Sequence, residues 1–120
     1  MNENYDQSFE LYEEGKKAFD KGQFESAVKL FKESNECYPH FKTLELWGEA
    51  EIQQCNFKNA ITPLAAAISL NSGIRALSLL ASTFLALKDK GNSEKFALLT
   101  LEKAPNNKLA KNVLLSIEKI

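Results

Sequence analysis

The chain maps onto itself when it is shifted by 33 residues, and this internal repeat restricts the fold more than any other feature of the sequence. Leu11 recurs as Leu44 and Leu77. Further apolar pairs recur in the first two units: Phe24 and Phe57, Ala27 and Ala60, Phe31 and Leu64. A small residue at one position, Gly15, Gly48 or Ala81, lets a neighbouring helix approach closely. One unit cannot bury its own apolar face, so the units are expected to stack.

Apolar residues at helical spacing predict seven helices and no strand. Their apolar stripes run over residues 5–19, 24–32, 44–52, 60–68, 77–87, 96–104 and 109–117. Pro39 and Pro105 end the second and sixth helices, the segment 71–73 closes the fourth, and the fifth is expected to close near Gly91. Pro63 lies inside the fourth helix, where the loss of one backbone hydrogen bond predicts a kink or a loosened turn.

The third unit departs from the first two. We align Ala97 with Ala27 and Ala60, and Ala97 follows Ala81 by 16 residues where the other units have 12. The first helix or the turn of this unit is therefore expected to be about one turn longer. In the same alignment, Ser93 stands where the first two units have phenylalanine.

The repeat resembles the tetratricopeptide-repeat family, whose period is about 34 residues. The resemblance rests on Gly15, the run from Gly22 to Ala27, Phe31 and Pro39 in the first unit. Trp47-Gly48, Phe57, Ala60 and Leu64 carry it in the second unit. It implies an all-α fold, a right-handed solenoid of three antiparallel helical hairpins plus a C-terminal capping helix. The whole chain, 1–120, would be one domain with repeats at about 8–40, 41–73 and 74–105 and a cap at 106–119.

In this family the first helix of each hairpin lines a concave groove that binds a partner. By resemblance, twelve residues would line it here: Phe9, Tyr12, Lys16, Phe19, Lys42, Glu45, Glu49, Ile52, Arg75, Ser78, Ser82 and Leu85. Some members grip acidic chaperone tails with lysine, asparagine and arginine side chains. We match that clamp to Tyr12, Lys16, Glu49, Ser78 and Ser82, of which only Lys16 fits, so an acidic tail is disfavoured.

Two features of the predicted groove each leave two interpretations open. Phe9, Tyr12 and Phe19 either form an apolar anchor for a partner or pack against the second helix. Glu45 and Glu49, four residues apart on the third helix, either form an acidic strip or are already neutralised by a cation of the groove. An acidic strip would favour a basic or amphipathic partner.

The composition excludes several classes of protein. The pI of 5.9 and the lack of interleaved aromatics in the basic half argue against nucleic-acid binding. No apolar run is long enough to span a membrane, and the polar N-terminus predicts a cytoplasmic protein without a signal peptide. Two cysteines predict reduced thiols. Residues 1–54 carry 12 acids and 6 bases, whereas residues 55–120 carry 4 acids and 9 bases. This asymmetry would steer a charged partner or favour self-association.

The sequence therefore predicts a protein–protein interaction module, an adaptor or scaffold with no cofactor and no catalytic residue. The alternative is a dedicated chaperone or neutralising partner of one client, similar to secretion chaperones or immunity proteins. An enzyme or metal protein built on Cys37, His40 and Cys55 is a third class, disfavoured because zinc sites want closely paired ligands. The fourth and fifth helices are apolar almost all round, which predicts central burial and leaves a homodimer as an alternative.

Overall fold

The computed structural model describes residues 3–119, which form seven α-helices. The helices are α1 (Glu3–Asp20), α2 (Phe24–Cys37), α3 (Phe41–Gln53), α4 (Phe57–Leu70), α5 (Ile74–Ala86), α6 (Lys90–Lys103) and α7 (Lys108–Glu118). No strand occurs in the described part of the chain. The three-residue turns between consecutive helices of a pair force them to run antiparallel.

The helices stack in one direction. Three hairpins, α1–α2, α3–α4 and α5–α6, have the largest internal contacts, and each second helix packs against the first helix of the next hairpin. The molecule is accordingly elongated, 48 × 26 × 20 Å. The predicted fold class, a solenoid of three hairpins plus a capping helix, is confirmed.

A small residue on each first helix receives a side chain from the return helix. A Cβ built on Gly15 would lie 2.6 Å from Phe31 Cε1, and one built on Gly48 would lie 2.5 Å from Leu64 Cγ. Both large side chains are completely buried. Because real Cβ atoms do not approach other atoms this closely, glycine is what allows these two hairpins to close.

The third hairpin closes with a different pair, and here the expectation from sequence was wrong. Ala97 occupies the position of Phe31 and Leu64 and clusters with Ala81. The small residue that we aligned on Ala97 is Ser93, fully buried and donating its hydroxyl to the Ala81 carbonyl over 2.8 Å. Helix α5 has 13 residues, as α3 does, so no extra turn exists.

The same alignment error affects the turn of the third hairpin. Lys90, not Ser93, takes the place of the phenylalanines that begin α2 and α4. Gly91 lies in the first turn of α6 and does not close α5, which ends at Ala86. The cause is a strictly constant hairpin length, and a gapless 33-residue shift would have found it.

Each hairpin turn places one residue in the left-handed region, at the same repeat position. These residues are Gly22 (φ 77°), Cys55 (φ 60°) and Lys88 (φ 62°). The residue that follows donates its N–H to a carbonyl five positions back, as Gln23 does to Ala18 over 2.8 Å. Only glycine adopts this conformation without a steric cost, so the second and third turns store strain that the first lacks.

Helix α7 closes the stack. It packs against α6 and α5 through Ala110 and Val113, which are buried, and the Asn107 side chain accepts from the Ala110 N–H as its cap. At the position of Gly15, Gly48 and Ala81 it carries Leu114. A leucine there occupies the space that a return helix would need, so α7 ends the repeat.

The most apolar helices are central, as predicted. Leu64, Ala67, Ala76 and Leu80 form one core cluster between α4 and α5. Pro63 is buried in α4, which runs unbroken across it from Phe57 to Leu70.

Candidate protein-binding face

The first helices lie side by side and present one shared surface, which we call the first-helix face. It carries the twelve predicted groove residues. The 33-residue repeat places Lys42 and Arg75 at one position on successive helices, and Lys16, Glu49 and Ser82 at another. Side chains at equivalent positions of stacked repeats point the same way, so these form rows across the stack.

A pocket of about 140 Å³ opens at the α1 end of this face. We call it the aromatic pocket. Its lining is mainly apolar: Tyr5, Ser8, Phe9, Tyr12, Tyr38, His40, Lys42 and Thr43. Tyr5 is 49% exposed and Phe9 46%, so both rings have apolar surface facing solvent. Exposed aromatic surface around a concave site is typical of ligand and partner pockets.

Hydrogen bonds between α1 and α2 fix the floor of the aromatic pocket. The Ser34 hydroxyl donates to the Ser8 carbonyl over 2.7 Å, and Ser8 Oγ lies 2.8 Å from the Ser34 carbonyl, 3.0 Å from Ser34 Oγ and 2.9 Å from the Tyr38 carbonyl. Tyr38 in turn meets the Tyr5 ring edge-on, with centroids 5.4 Å apart. Buried and satisfied, this network holds the end of α2 against α1.

His40 shapes the opposite wall. Its Nδ1 accepts the backbone N–H of Lys42 over 3.2 Å and so caps α3. Its ring stacks on Phe41 with centroids 4.9 Å apart. The only histidine of the chain is therefore a helix cap beside the pocket, which agrees with a turn residue and not with a catalytic base.

The three predicted aromatic anchors differ in their surroundings. Phe9 is exposed and stacks beside Tyr12 at 6.3 Å. Tyr12 also leans on Phe31 of α2 at 6.2 Å, and Phe19 packs edge-on against Phe24 at 5.2 Å. Tyr12 and Phe19 are partly committed to packing on α2, whereas Phe9 offers most of its ring to solvent.

The two glutamates of α3 do not present an acidic strip. Glu49 forms an ion pair with Arg75 of the next hairpin. Glu45 is only 8% exposed, and its Oε2 lies beside Gly73, where a Cβ would be 3.4 Å away. Burial raises the pKa of Glu45 above its usual range, against the lowering influence of Arg75 and Lys42. Of the two interpretations left open by the sequence, neutralisation by Arg75 describes Glu49.

Cations remain at the surface of the first-helix face. Lys16 and Lys42 are exposed, and the Arg75 side chain is 54% exposed in spite of its pairing. Ser78 is buried and donates to the Arg75 carbonyl over 3.0 Å. Ile52, Ser82 and Leu85 are half-buried. The accessible charge on the predicted groove residues is therefore mainly positive.

Tyr5, Tyr38 and His40 belong to the aromatic pocket but were not among the predicted groove residues. Two of them lie on the loop side of the hairpins, outside the positions that the family resemblance supplies. Tyr38 was visible only as an aromatic before a proline, which gives no sign of its contact with Tyr5.

Cys37 and Cys55 are both free thiols. Within residues 3–119 no three side chains of histidine, cysteine, aspartate or glutamate come together in a metal-binding arrangement. No helix among the seven described is both long and apolar enough to cross a bilayer.

No family model matches the sequence, and a search of curated proteins finds no match. Solved structures do match the fold. The first TPR domain of Spaghetti (RPAP3), bound to the HSP90 peptide SRMEEVD, superposes with a TM-score of 0.91 at 25% identity, covering 96% of this chain and 93% of that one. The Arabidopsis OM64 TPR domain gives 0.91 at 19% identity, covering 97% and 98%. The second TPR domain of human RPAP3, in complex with the HSP70 peptide SGPTIEEVD, gives 0.92 at 18% identity, covering 98% and 99%.

These matches define a class, the solenoids of helical hairpins. Within that class, the chain has the tetratricopeptide-repeat fold, as its sequence predicted. Two of the three structures hold bound peptides, and the fold agrees with the prediction that the chain is not an enzyme.

Proposed function

We propose that this protein is an adaptor that binds an extended, amphipathic segment of another protein along its first-helix face. The observation that carries the proposal is the aromatic pocket, open to solvent at one end of a row of exposed cations. A pocket of about 140 Å³ accommodates one large apolar side chain. Lys42 lines the same pocket, so an acidic group next to that side chain would find a cation.

The charge of the partner follows from the glutamates. A basic partner would need accessible carboxylates, but Glu45 is buried and Glu49 is paired with Arg75. Lys16 and Lys42 lack such pairing in the hydrogen bonds and ion pairs of the described residues. An amphipathic segment with acidic residues therefore fits the face better than a basic one.

The structural neighbours support this choice of chemistry. The RPAP3 domains bind peptides, SRMEEVD and SGPTIEEVD, that combine acidic residues with apolar ones. The clamp by which some family members grip such tails is represented here only by Lys16. We therefore propose the same class of ligand with a different anchor, the aromatic pocket in place of most of the clamp.

The direct test is a fluorescence-anisotropy titration with labelled SGPTIEEVD and with a counterpart in which every acidic residue is lysine. The groove variant is Phe9→Ala. Its matched control is Leu98→Ala on α6, since the two side chains are 46% and 49% exposed and Leu98 lies outside the first-helix face. Circular dichroism checks that each variant is folded.

We expect the acidic peptide to bind, the lysine counterpart to bind at least tenfold more weakly, and Phe9→Ala to weaken binding about tenfold while Leu98→Ala changes it less than twofold. That loss is about 1.4 kcal/mol. Preferential binding of the lysine counterpart would restore the basic partner that the sequence predicted. Equal loss in both variants, or no binding of either peptide, would contradict the proposal.

Two further assignments belong to the proposal. We take the chain as one binding unit, with repeats 8–40, 41–73 and 74–105 and the cap 106–119, working in a reducing cytoplasm where its thiols stay free. Whether it serves many partners or one client is decided by affinity, since a dedicated chaperone or neutralising protein would hold one partner far more tightly. Light scattering after gel filtration tests the homodimer, which our proposal does not require.

A further inference from the structure

Helix α7 occupies the place of a fourth first helix. It packs on α6 and α5 in the way that α3 packs on α2 and α1, and α5 on α4 and α3. Its buried residues agree with that position: Ala110 and Val113 fall 33 residues after Leu77 and Leu80, which are buried in α5. The family resemblance treats this helix as a solvent-facing cap, but its packing continues the row of first helices.

The residues of α7 that continue the first-helix face are Lys108, Lys111 and Leu115. They fall 33 residues after Arg75, Ser78 and Ser82. All three are exposed, and Leu115 is 57% exposed, more than any other large apolar residue among those described. Helix α7 does not need Leu115 for its own packing, because Leu109, Leu114 and Ile117 already contact the α7 core cluster. The leucine is therefore available to a partner.

The charge of this surface is one-sided. Helix α7 carries Lys108 and Lys111 and a single acidic residue, Glu118, at its last position. An exposed leucine one turn from two lysines suits a segment that pairs acidic side chains with an apolar one, which is the chemistry inferred at the aromatic pocket.

One short peptide can reach both ends. Packed helices lie about 8–10 Å apart, so the three steps from α1 to α7 cover roughly 27 Å. An extended chain advances about 3.3 Å per residue. Eight or nine residues therefore suffice, which is the length of SGPTIEEVD.

We propose that α7 is the fourth helix of the binding surface, and that an acidic, amphipathic peptide of at least eight residues contacts Lys108, Lys111 and Leu115 while its other end occupies the aromatic pocket. This inference rests on the proposed function, because it assumes a peptide bound along the first-helix face. It adds a second anchor that neither the predicted groove nor the neighbouring structures assign.

The test uses the full chain and labelled SGPTIEEVD. The variant is Lys108→Glu with Lys111→Glu, and the matched control is Lys29→Glu with Lys58→Glu, which makes the same change of net charge on exposed positions of α2 and α4. Glutamate in the first turn of α7 favours the helix, so the variant is expected to fold. Leu115→Ala removes the apolar contact without any change of charge.

We expect the α7 double variant to weaken the acidic peptide at least tenfold, Leu115→Ala about threefold to fivefold, and the control pair less than threefold. Equal effects of the α7 pair and the control pair, with Leu115→Ala unchanged, would overturn the inference. If Phe9→Ala still weakened binding in that case, the proposed function would stand and only the α7 anchor would fail. If Phe9→Ala also had no effect, both would fall.

Discussion

Gly48 of α3 lies directly beneath Leu64 of α4, so close that a Cβ on the glycine would be 2.5 Å from Leu64 Cγ. The equivalent pair in the first hairpin is Gly15 with Phe31, and in the third it is Ala81 with Ala97. Small and large residues are thus exchanged as pairs between hairpins. The distance between the two helices of a hairpin is set by the pair and not by either residue alone.

We predict that Gly48→Ala destabilises the protein. Alanine gains about 1 kcal/mol in helix propensity, but overpacking a filled core costs about 1–3 kcal/mol, and Leu64 is fully buried with no room to move. The net loss should be about 1 kcal/mol in urea unfolding.

The pairing is tested by a double-mutant cycle. Leu64→Ala alone should cost about 2–5 kcal/mol. In that background, Gly48→Ala should become stabilising, since it reproduces the alanine pair of the third hairpin. A destabilisation by Gly48→Ala of the same size in both backgrounds would contradict the account.

We predict that Cys55→Gly stabilises the protein. Cys55 has φ of 60°, where a side chain costs about 1–2 kcal/mol relative to glycine. Glycine also loses more entropy on folding, so the expected net gain is about 0.5–1 kcal/mol. Urea unfolding under reducing conditions measures it. Gln54→Gly, at φ −94°, is the neighbouring control and should give a loss. A gain at both positions would point to a cause other than turn strain.

The pH dependence of stability should carry a contribution from Glu45. Burial raises the pKa of Glu45 in the folded state, so the folded protein binds this proton more tightly than the unfolded chain does. The stabilising effect is complete below the unfolded pKa, near the usual 4.5, and is lost as the pH rises through the raised folded pKa.

Glu45→Gln should therefore stabilise the protein more at pH 7 than at pH 4.5, since the amide removes the cost of a buried carboxylate. Thermal unfolding at the two pH values measures the difference. Glu13→Gln, on the exposed surface of α1, controls for the loss of one negative charge. A greater stabilisation at pH 4.5 than at pH 7 would reverse the expected sign.

Ser34→Ala should loosen the aromatic pocket as well as the first hairpin. The hydroxyl of Ser34 donates to the Ser8 carbonyl within a buried network that also ties Tyr38 to α1. Alanine fits the space, as Ala67 shows at the equivalent position, so the cost should be that of one hydrogen bond, about 1 kcal/mol. Urea unfolding measures the stability, and the control is Ser69→Ala, whose exposed hydroxyl contacts only its own helix. Equal losses at the two serines would contradict this account.

The repeat predicted the helices, their order and their stacking, because the spacing of Gly15, Gly48 and their apolar partners leaves few other ways to bury them. The third hairpin failed in detail. Ala97 and Ser93 are both small, and the sequence alone did not distinguish a small residue facing another helix from one that replaces a large side chain. Only the constant hairpin length decides between them.

The groove was predicted less well than the fold. Exposure of Glu45 could not be inferred from its helical position, since its burial depends on Gly73, 28 residues away along the chain. The pairing of Glu49 with Arg75 was one of two open interpretations for the same reason. The aromatic pocket needs Tyr5 and Tyr38 to meet across two helices, and that contact lies between residues with no repeat counterpart.

The central claim is that a peptide lies across the first helices from the aromatic pocket towards α7. The most direct measurement is a series of ¹⁵N–¹H correlation spectra of the labelled protein during a titration with SGPTIEEVD. We predict shifts concentrated at Phe9, Tyr12, Lys42, Arg75 and Leu115, with the residues of α2 and α4 that face away nearly unchanged. Shifts confined to α2, α4 and α6, or no shifts at saturating peptide, would contradict the account.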